Sequence, residues 1–109
     1  MSKPADAFAA LAHPSRRAIL GHLRDRPGMT AGQIAAEFPA VSRPAVSRHL
    51  ALLRRARLVR ARTHGRERRY SVDARPLRDV YESYLRAFEP LWDTTLDSLK
   101  RAAEAPLPD

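Results

Sequence analysis

Five polar side chains on one side of a single stretch could do recognisable chemistry. In VSRPAVSRHLALLRRARLV, residues 41–59, Val46, Leu50 and Leu53 recur at i, i+4 and i+7, while Arg43, Ser47, Arg48, Arg54 and Arg55 fall on the other side. A guanidinium offers a fork of donors that matches phosphate oxygens or guanine O6 and N7, and a serine hydroxyl both donates and accepts. A short helix with an apolar back and a basic front suits insertion into a nucleic-acid groove. Ser42 can cap its free N–H groups and Pro44 belongs to its first turn. Ser42, Arg43, Pro44, Ser47, Arg48, His49 and Arg54 form the candidate DNA-contacting set of this recognition helix, placed at 42–56. His49 falls beside the apolar seam and reads as a packed or phosphate-contacting histidine.

A second basic group follows. Leu58–Thr63 and Glu67–Val72 alternate in and out around His64-Gly65, which reads as a β-hairpin with Gly65 supplying positive φ. Arg62, His64, Arg66, Arg68 and Arg69 are its candidate DNA contacts, to phosphate or minor groove. A two-residue loop would pair Arg62 with Glu67 and set Arg60 against Arg69, a like-charge pair eased by a phosphate between them.

Positioning these groups requires the rest of the chain. Asp6–Ala12 reads as a short helix with Phe8 and Leu11 on one face. His13-Pro14-Ser15 interrupts it, and a second helix runs to about Arg24, burying Ile19, Leu20 and Leu23. Thr30 with Gln33 three positions on is a capping-box pattern, opening a third helix that buries Ile34 and Phe38. A short helix, a tight turn and the basic helix form a helix-turn-helix. The expected class is mainly α with a small β-hairpin wing, a winged helix-turn-helix. Residues 1–104 form one domain, Met1–Ala5 is frayed and 105–109 is a disordered tail.

From Pro76 to about Ala103, apolar residues repeat at three and four in one wide stripe. Tyr81, Tyr84, Leu85, Phe88, Leu91, Trp92, Leu96 and Leu99 lie on it, and Pro90 predicts a kink or break near Arg86–Glu89. A helix of about 25 residues spans close to 40 Å. That exceeds what so small a domain can cover, so the stripe, with Phe8 and Leu11, is expected to pack against a second copy of the chain.

Charge agrees with this layout. The net charge is +8, and residues 41–75 alone carry +9, against +2 before them and −3 after. The excess is a localised phosphate-binding footprint. The absence of cysteine excludes disulfides and thiolate chemistry. No apolar run approaches the roughly 18 residues of a membrane span, and no leader peptide is evident, so a cytoplasmic location is expected. No Gly-rich phosphate loop, Ser/His/Asp motif or metal cluster supports catalysis, and no cofactor is expected.

LAHPSRRAILGHL, TAGQIAAEF, VSRPAVSRHLALLRRARLV and GRERRYSV together resemble the ArsR-type (ArsR/SmtB) winged-helix repressors, in family order and spacing over nearly the full length. Within that family the chain is most similar to the SdpR-like, metal-independent branch. The resemblance implies a homodimer of first and last helices on double-stranded DNA at a palindromic operator. Half-sites would lie about 34 Å apart, and a signal of unknown identity would relieve repression. It also places Arg16 and Arg17 near the DNA backbone. Metal-sensing relatives use cysteines or Asp/His/Glu clusters. This chain has no cysteine, and its last helical region holds Asp79, Glu82, Glu89, Asp93 and Asp97 without a histidine, so no metal site is expected. Arg57 replaces the glycine that usually ends the recognition helix, so the helix is expected to end differently. A non-specific or architectural DNA binder is the alternative with the same basic surface.

Overall fold

Three helices of this chain begin where a side chain replaces a missing backbone partner. A computed structural model describes residues 4–104, without the side chains of 4–5 and 93–96. The 105–109 tail lies outside the described residues, whereas residues 4 and 5, expected to fray, are helical. The elements are α1 (Pro4–Leu11), α2 (Pro14–Asp25), β1 (Met29–Thr30), α3 (Ala31–Ala36), α4 (Arg43–Arg55), β2 (Val59–His64), β3 (Glu67–Val72), α5 (Arg75–Ser83), a 3-10 turn (Leu85–Phe88) and α6 (Glu89–Glu104). His13 Nδ1 accepts from Ser15 N at 3.1 Å to start α2. The capping box at α3 has both arms: Gln33 N donates to Thr30 Oγ1 at 3.2 Å, and Thr30 N donates to Gln33 Oε1 at 2.9 Å. At α4, Ser42 Oγ accepts from Ala45 N at 3.2 Å.

Two compact units divide the chain, one through Asp79 and one from Val80. The core of the first lies where α2, α3, α4 and the sheet meet. Ile19, Leu23, Ile34, Leu50, Leu53 and Leu58 are fully buried there. These are the apolar positions spaced three and four apart, as an amphipathic helix packed on one side requires. Phe38 follows α3 half-buried, its ring edge-on to His22 at 5.1 Å. In α1 the buried side chains are Ala7 and Ala10. Leu11 packs partly against the core, and Phe8 is exposed.

The hairpin belongs to a three-stranded antiparallel sheet of order β1-β3-β2. The added strand β1 has two residues, too short for any periodic signal, and pairs Met29 with Tyr70 and Thr30 with Arg69. Gly28, at φ 86°, turns the chain into it and donates to Tyr70 O at 2.9 Å. The register differs from expectation. His64 opposes Glu67 and Arg62 opposes Arg69, so the loop is Gly65-Arg66 rather than His64-Gly65. Gly65, at φ 66°, becomes the first central residue, where a type II′ turn calls for glycine. Arg60 therefore faces Ser71, and the like-charge pair is Arg62 with Arg69.

Helix α4 ends in a Schellman motif. Arg57 N donates to Arg54 O at 3.0 Å and Leu58 N to Leu53 O at 2.9 Å, with Arg57 itself at φ 62°. The expected different ending is not found: arginine occupies the left-handed position. Leu53 and Leu58, both fully buried, close the motif with the apolar contact that usually accompanies it. That burial offsets the roughly 1–2 kcal/mol an L-residue loses in this conformation.

In the second unit the interruption of the stripe is present and begins earlier than expected. Tyr84 leaves helical geometry at φ −138°, the 3-10 turn follows, and Pro90 falls in the first turn of α6, where a missing N–H costs little. The apolar positions are thus carried by two helices and a turn. Tyr84, Phe88, Leu91, Trp92 and Leu99 are exposed, Tyr81 and Leu85 are half-buried, and the side chain of Leu96 lies outside those described.

Candidate nucleic-acid interface

No acidic residue occurs between Glu37 and Glu67, and α4, its Schellman end and β2 all lie in that interval. The exposed side of α4 is therefore a surface of one sign. Arg43, Ser47 and Arg54 follow one another along it at i, i+4 and i+11, with Arg48 beside them, and all four are exposed. Their backing is rigidly specified, since Val46, Leu50 and Leu53 beneath them are fully buried. Ser42 and Pro44 occupy the first turn as cap and as a residue that needs no donor.

The sheet brings the wing beside both ends of this helix. At the N-terminal end Arg43, Arg66 and Arg68 line a groove of about 390 Å³ with Thr30, Gln33 and Glu67. A Cβ added at Gly32 would meet Arg43 Nη2 at 3.4 Å, which places that guanidinium over the first turn of α3. At the C-terminal end Arg54 and Arg62 share a cleft of about 720 Å³ with four more arginines and Asp73. Arg69 is partly engaged within the wing, because its Nη2 lies 3.6 Å from Glu67 Oε2. Glu67 thereby offsets part of the Arg62–Arg69 repulsion. His64 closes the strand opposite Glu67 instead of occupying the turn, so Arg66 is the side chain at the very tip.

His49 is held from two directions. Its ring centroid is 4.7 Å from that of His13, and Arg16 Nη1 approaches its Nδ1 to 3.4 Å. A guanidinium can only donate, so Nδ1 accepts and the ring proton belongs on Nε2. Partial burial, then the charges of His13, Arg16 and Arg48, lower its pKa from the usual 6.5. A neutral imidazole protonated on Nε2 remains a donor. The guanidinium groups of Arg16 and Arg17 turn back onto α1. Arg16 Nε donates to Ala10 O at 2.7 Å, Arg16 Nη2 to Ala9 O at 3.1 Å and Arg17 Nη1 to Leu11 O at 2.7 Å. Their positive charge, unfavourable at the start of α2, satisfies carbonyls at the end of α1.

Sequence reasoning missed the role of Asp73. It is buried, 5% exposed, between the wing and α5. Arg75 donates to it through Nε at 3.0 Å and Nη2 at 2.7 Å, and Arg75 N donates at 3.1 Å. These bonds hold its carboxyl at about 2, below the ordinary 3.8. The available signal was the Asp-x-Arg spacing directly after the wing. Among the described residues no group of three His, Cys, Asp or Glu could hold a metal ion, and no helix is long and apolar enough to cross a membrane.

Comparison with known proteins agrees with this geometry. The family described as a helix-turn-helix domain matches residues 11–62. The HTH-type transcriptional regulator Rv2034 of Mycobacterium tuberculosis is 47% identical over 70 residues, 64% of this chain. The chain spans 64% of that regulator's own length. The transcriptional repressor SdpR of Bacillus subtilis is 36% identical over 74 residues, covering 68% of this chain and 80% of SdpR. An ArsR-like transcriptional regulator from Rhodococcus sp. RHA1 superposes with a TM-score of 0.71 at 34% identity, covering 94% of this chain and 92% of that one.

Proposed function

The chain belongs to the ArsR-type family of winged helix-turn-helix transcriptional regulators, and from that premise we propose that it is a cytoplasmic, homodimeric repressor that binds a palindromic DNA operator. One observation carries the DNA-binding part: the exposed side of α4 is free of acidic residues and has arginines of the wing beside it at both ends of the helix. Ser47 and Arg48 face outward to read base edges in the major groove, with Arg43, Arg66 and Arg68 on adjacent phosphates. Ser42, Pro44, His49, Arg54, Arg62, His64 and Arg69 complete the contacting set, with Arg69 partly engaged by Glu67.

The dimer rests on the exposed apolar side chains of Phe8, Tyr84, Phe88, Leu91, Trp92 and Leu99. Unburied apolar side chains of this size, on each of the two units, are what association with another chain would cover. A second copy is the partner that also supplies a twofold operator, with two recognition helices about one helical turn apart. Repression follows from analogy with SdpR.

The test is selection of bound sites from random duplex DNA by the purified protein. The expected result is an inverted repeat with half-site centres about 10 base pairs apart. Recovery of unselected sequence, with uniform protection in a footprint, would establish a non-specific binder instead.

A further inference from the structure

The cleft at the C-terminal end of α4 holds more cation than reading a half-site requires. Six arginines line it, Arg54, Arg55, Arg57, Arg60, Arg62 and Arg75, and Asp73 is the one acid among its described lining residues. That carboxylate is already engaged, by Arg75 at 2.7 Å and Arg60 at 3.8 Å. Arg54, Arg55, Arg57 and Arg62 add four exposed guanidinium groups to the same concavity. Like charges gathered in one place repel, and an anion is the ligand that reverses that energy.

Arg57 supplies an independent sign. Its φ of 62° is a conformation that favours glycine, and the Schellman bonds it makes are backbone bonds that need no side chain. A residue held against its backbone preference, with its side chain lining an anion-seeking cleft, points to a role for that side chain.

We propose that this cleft is a second phosphate-binding site, which takes the sugar–phosphate backbone of DNA flanking the bases read by α4. The proposal rests on the DNA-binding function above and adds Arg55, Arg57, Arg60 and Arg75 to it. A strand of duplex suits the site better than a free polyanion, because Arg54 continues the face that carries Arg43 and Ser47. A helix seated in a groove thereby carries the cleft along the same DNA. The cleft is also open and its arginines exposed, as a passing polymer requires.

Arg57→Gly tests the site without endangering the fold, since glycine suits the conformation. Duplex affinity is measured between 50 and 200 mM salt for the wild type, Arg57→Gly and Arg55→Ala, with and without flanking base pairs on the selected site. Each variant is expected to lower the salt slope by about 0.9 on the flanked duplex, so that the affinity lost across that range shrinks about threefold. Arg57→Gly is expected to melt no lower than the wild type, and trimming the flanks is expected to abolish the difference. Selective wild-type binding with unchanged slopes in both variants overturns the cleft proposal alone. A wild type that binds no duplex overturns the underlying function as well. Tripolyphosphate that binds the wild type and not Arg57→Gly, with equal duplex slopes, makes the cleft a site for a free polyanion and overturns the DNA assignment.

Discussion

Arg16 on α2 stands 3.4 Å from His49 Nδ1 on α4 while its Nε donates to Ala10 O, at the end of α1, at 2.7 Å. One side chain thus links the helix proposed to read DNA to the helix that carries Phe8. The link requires a neutral His49, because a proton on Nδ1 would meet the N–H of the guanidinium.

The first prediction is a pH dependence of stability. His49 has a folded pKa below its unfolded 6.5, through burial and the positive groups around it on α2, α4 and the turn before α2. The unfolded chain binds more protons below that value, so this contribution is complete above pH 6.5 and is lost as pH falls toward the folded pKa. Denaturant midpoints at pH 7.5 and 5 are expected to converge in His49→Gln. An unaltered pH dependence in that variant would remove His49 as its source.

Asp73 gives a second dependence in a separate window. With the folded carboxyl at about 2, its contribution is full above pH 3.8 and fades as pH falls through 2. At about 1.4 kcal/mol per unit the limit is about 2 kcal/mol, and the exposed Arg75 partner reduces it. Asp73→Asn is expected to lose about 1–2 kcal/mol at pH 7 and to flatten the acid limb of the stability curve. Equal stability at pH 7 would show that the ion pair contributes nothing net.

These two groups also show where sequence reasoning stopped. The helix starts at Thr30 and Ser42 were legible because capping is local, and Val46, Leu50 and Leu53 because burial repeats at the helix period. Side-chain direction at a distance was not legible. The turn of Arg16 toward α1 and His49 depends on how three helices pack, and the register of the hairpin on which of two adjacent residues begins the turn. A one-residue difference in loop position moved the like-charge pair from Arg60 to Arg62. Strand β1 left no pattern to find, since two residues have no period.

Arg48 and Arg66 are expected to fail differently when truncated. Arg48→Ala should cost about 1–3 kcal/mol at the selected operator and relax base preference at one position, as a base-contacting arginine does. Arg66→Ala, at the wing tip, should weaken binding to all sequences alike and lower the salt slope by about 1. Competition binding against single-position operator variants separates the two. Identical specificity profiles for both mutants would refute the division of labour.

Trp92 tests the proposed dimer. It is 43% exposed within the chain, so a large part of its ring is open to a partner. In the proposed dimer it becomes a buried aromatic anchor, and such truncations cost about 2 kcal/mol or more. Trp92→Ala is expected to raise the dimer dissociation constant by roughly thirtyfold while helical content is kept. Sedimentation equilibrium that finds the mutant dimer undiminished would place Trp92 outside the interface.

The sheet's uneven strand lengths have a mechanical consequence. Strand β1 reaches only as far as Arg69, so Arg62 and Arg69 stand at the last three-stranded rung, and the hairpin beyond them is a bare two-stranded ribbon. A ribbon of that kind is marginally stable alone, so stiffness steps down past that rung. Arg66, Arg68 and His64 ride on a compliant cantilever, while Tyr70 and Val59 remain clamped in the core at its mount. In the proposed complex with DNA, a groove that is wider or narrower than average is therefore followed by flexing the tip, while the residues that hold α4 in place stay in the core.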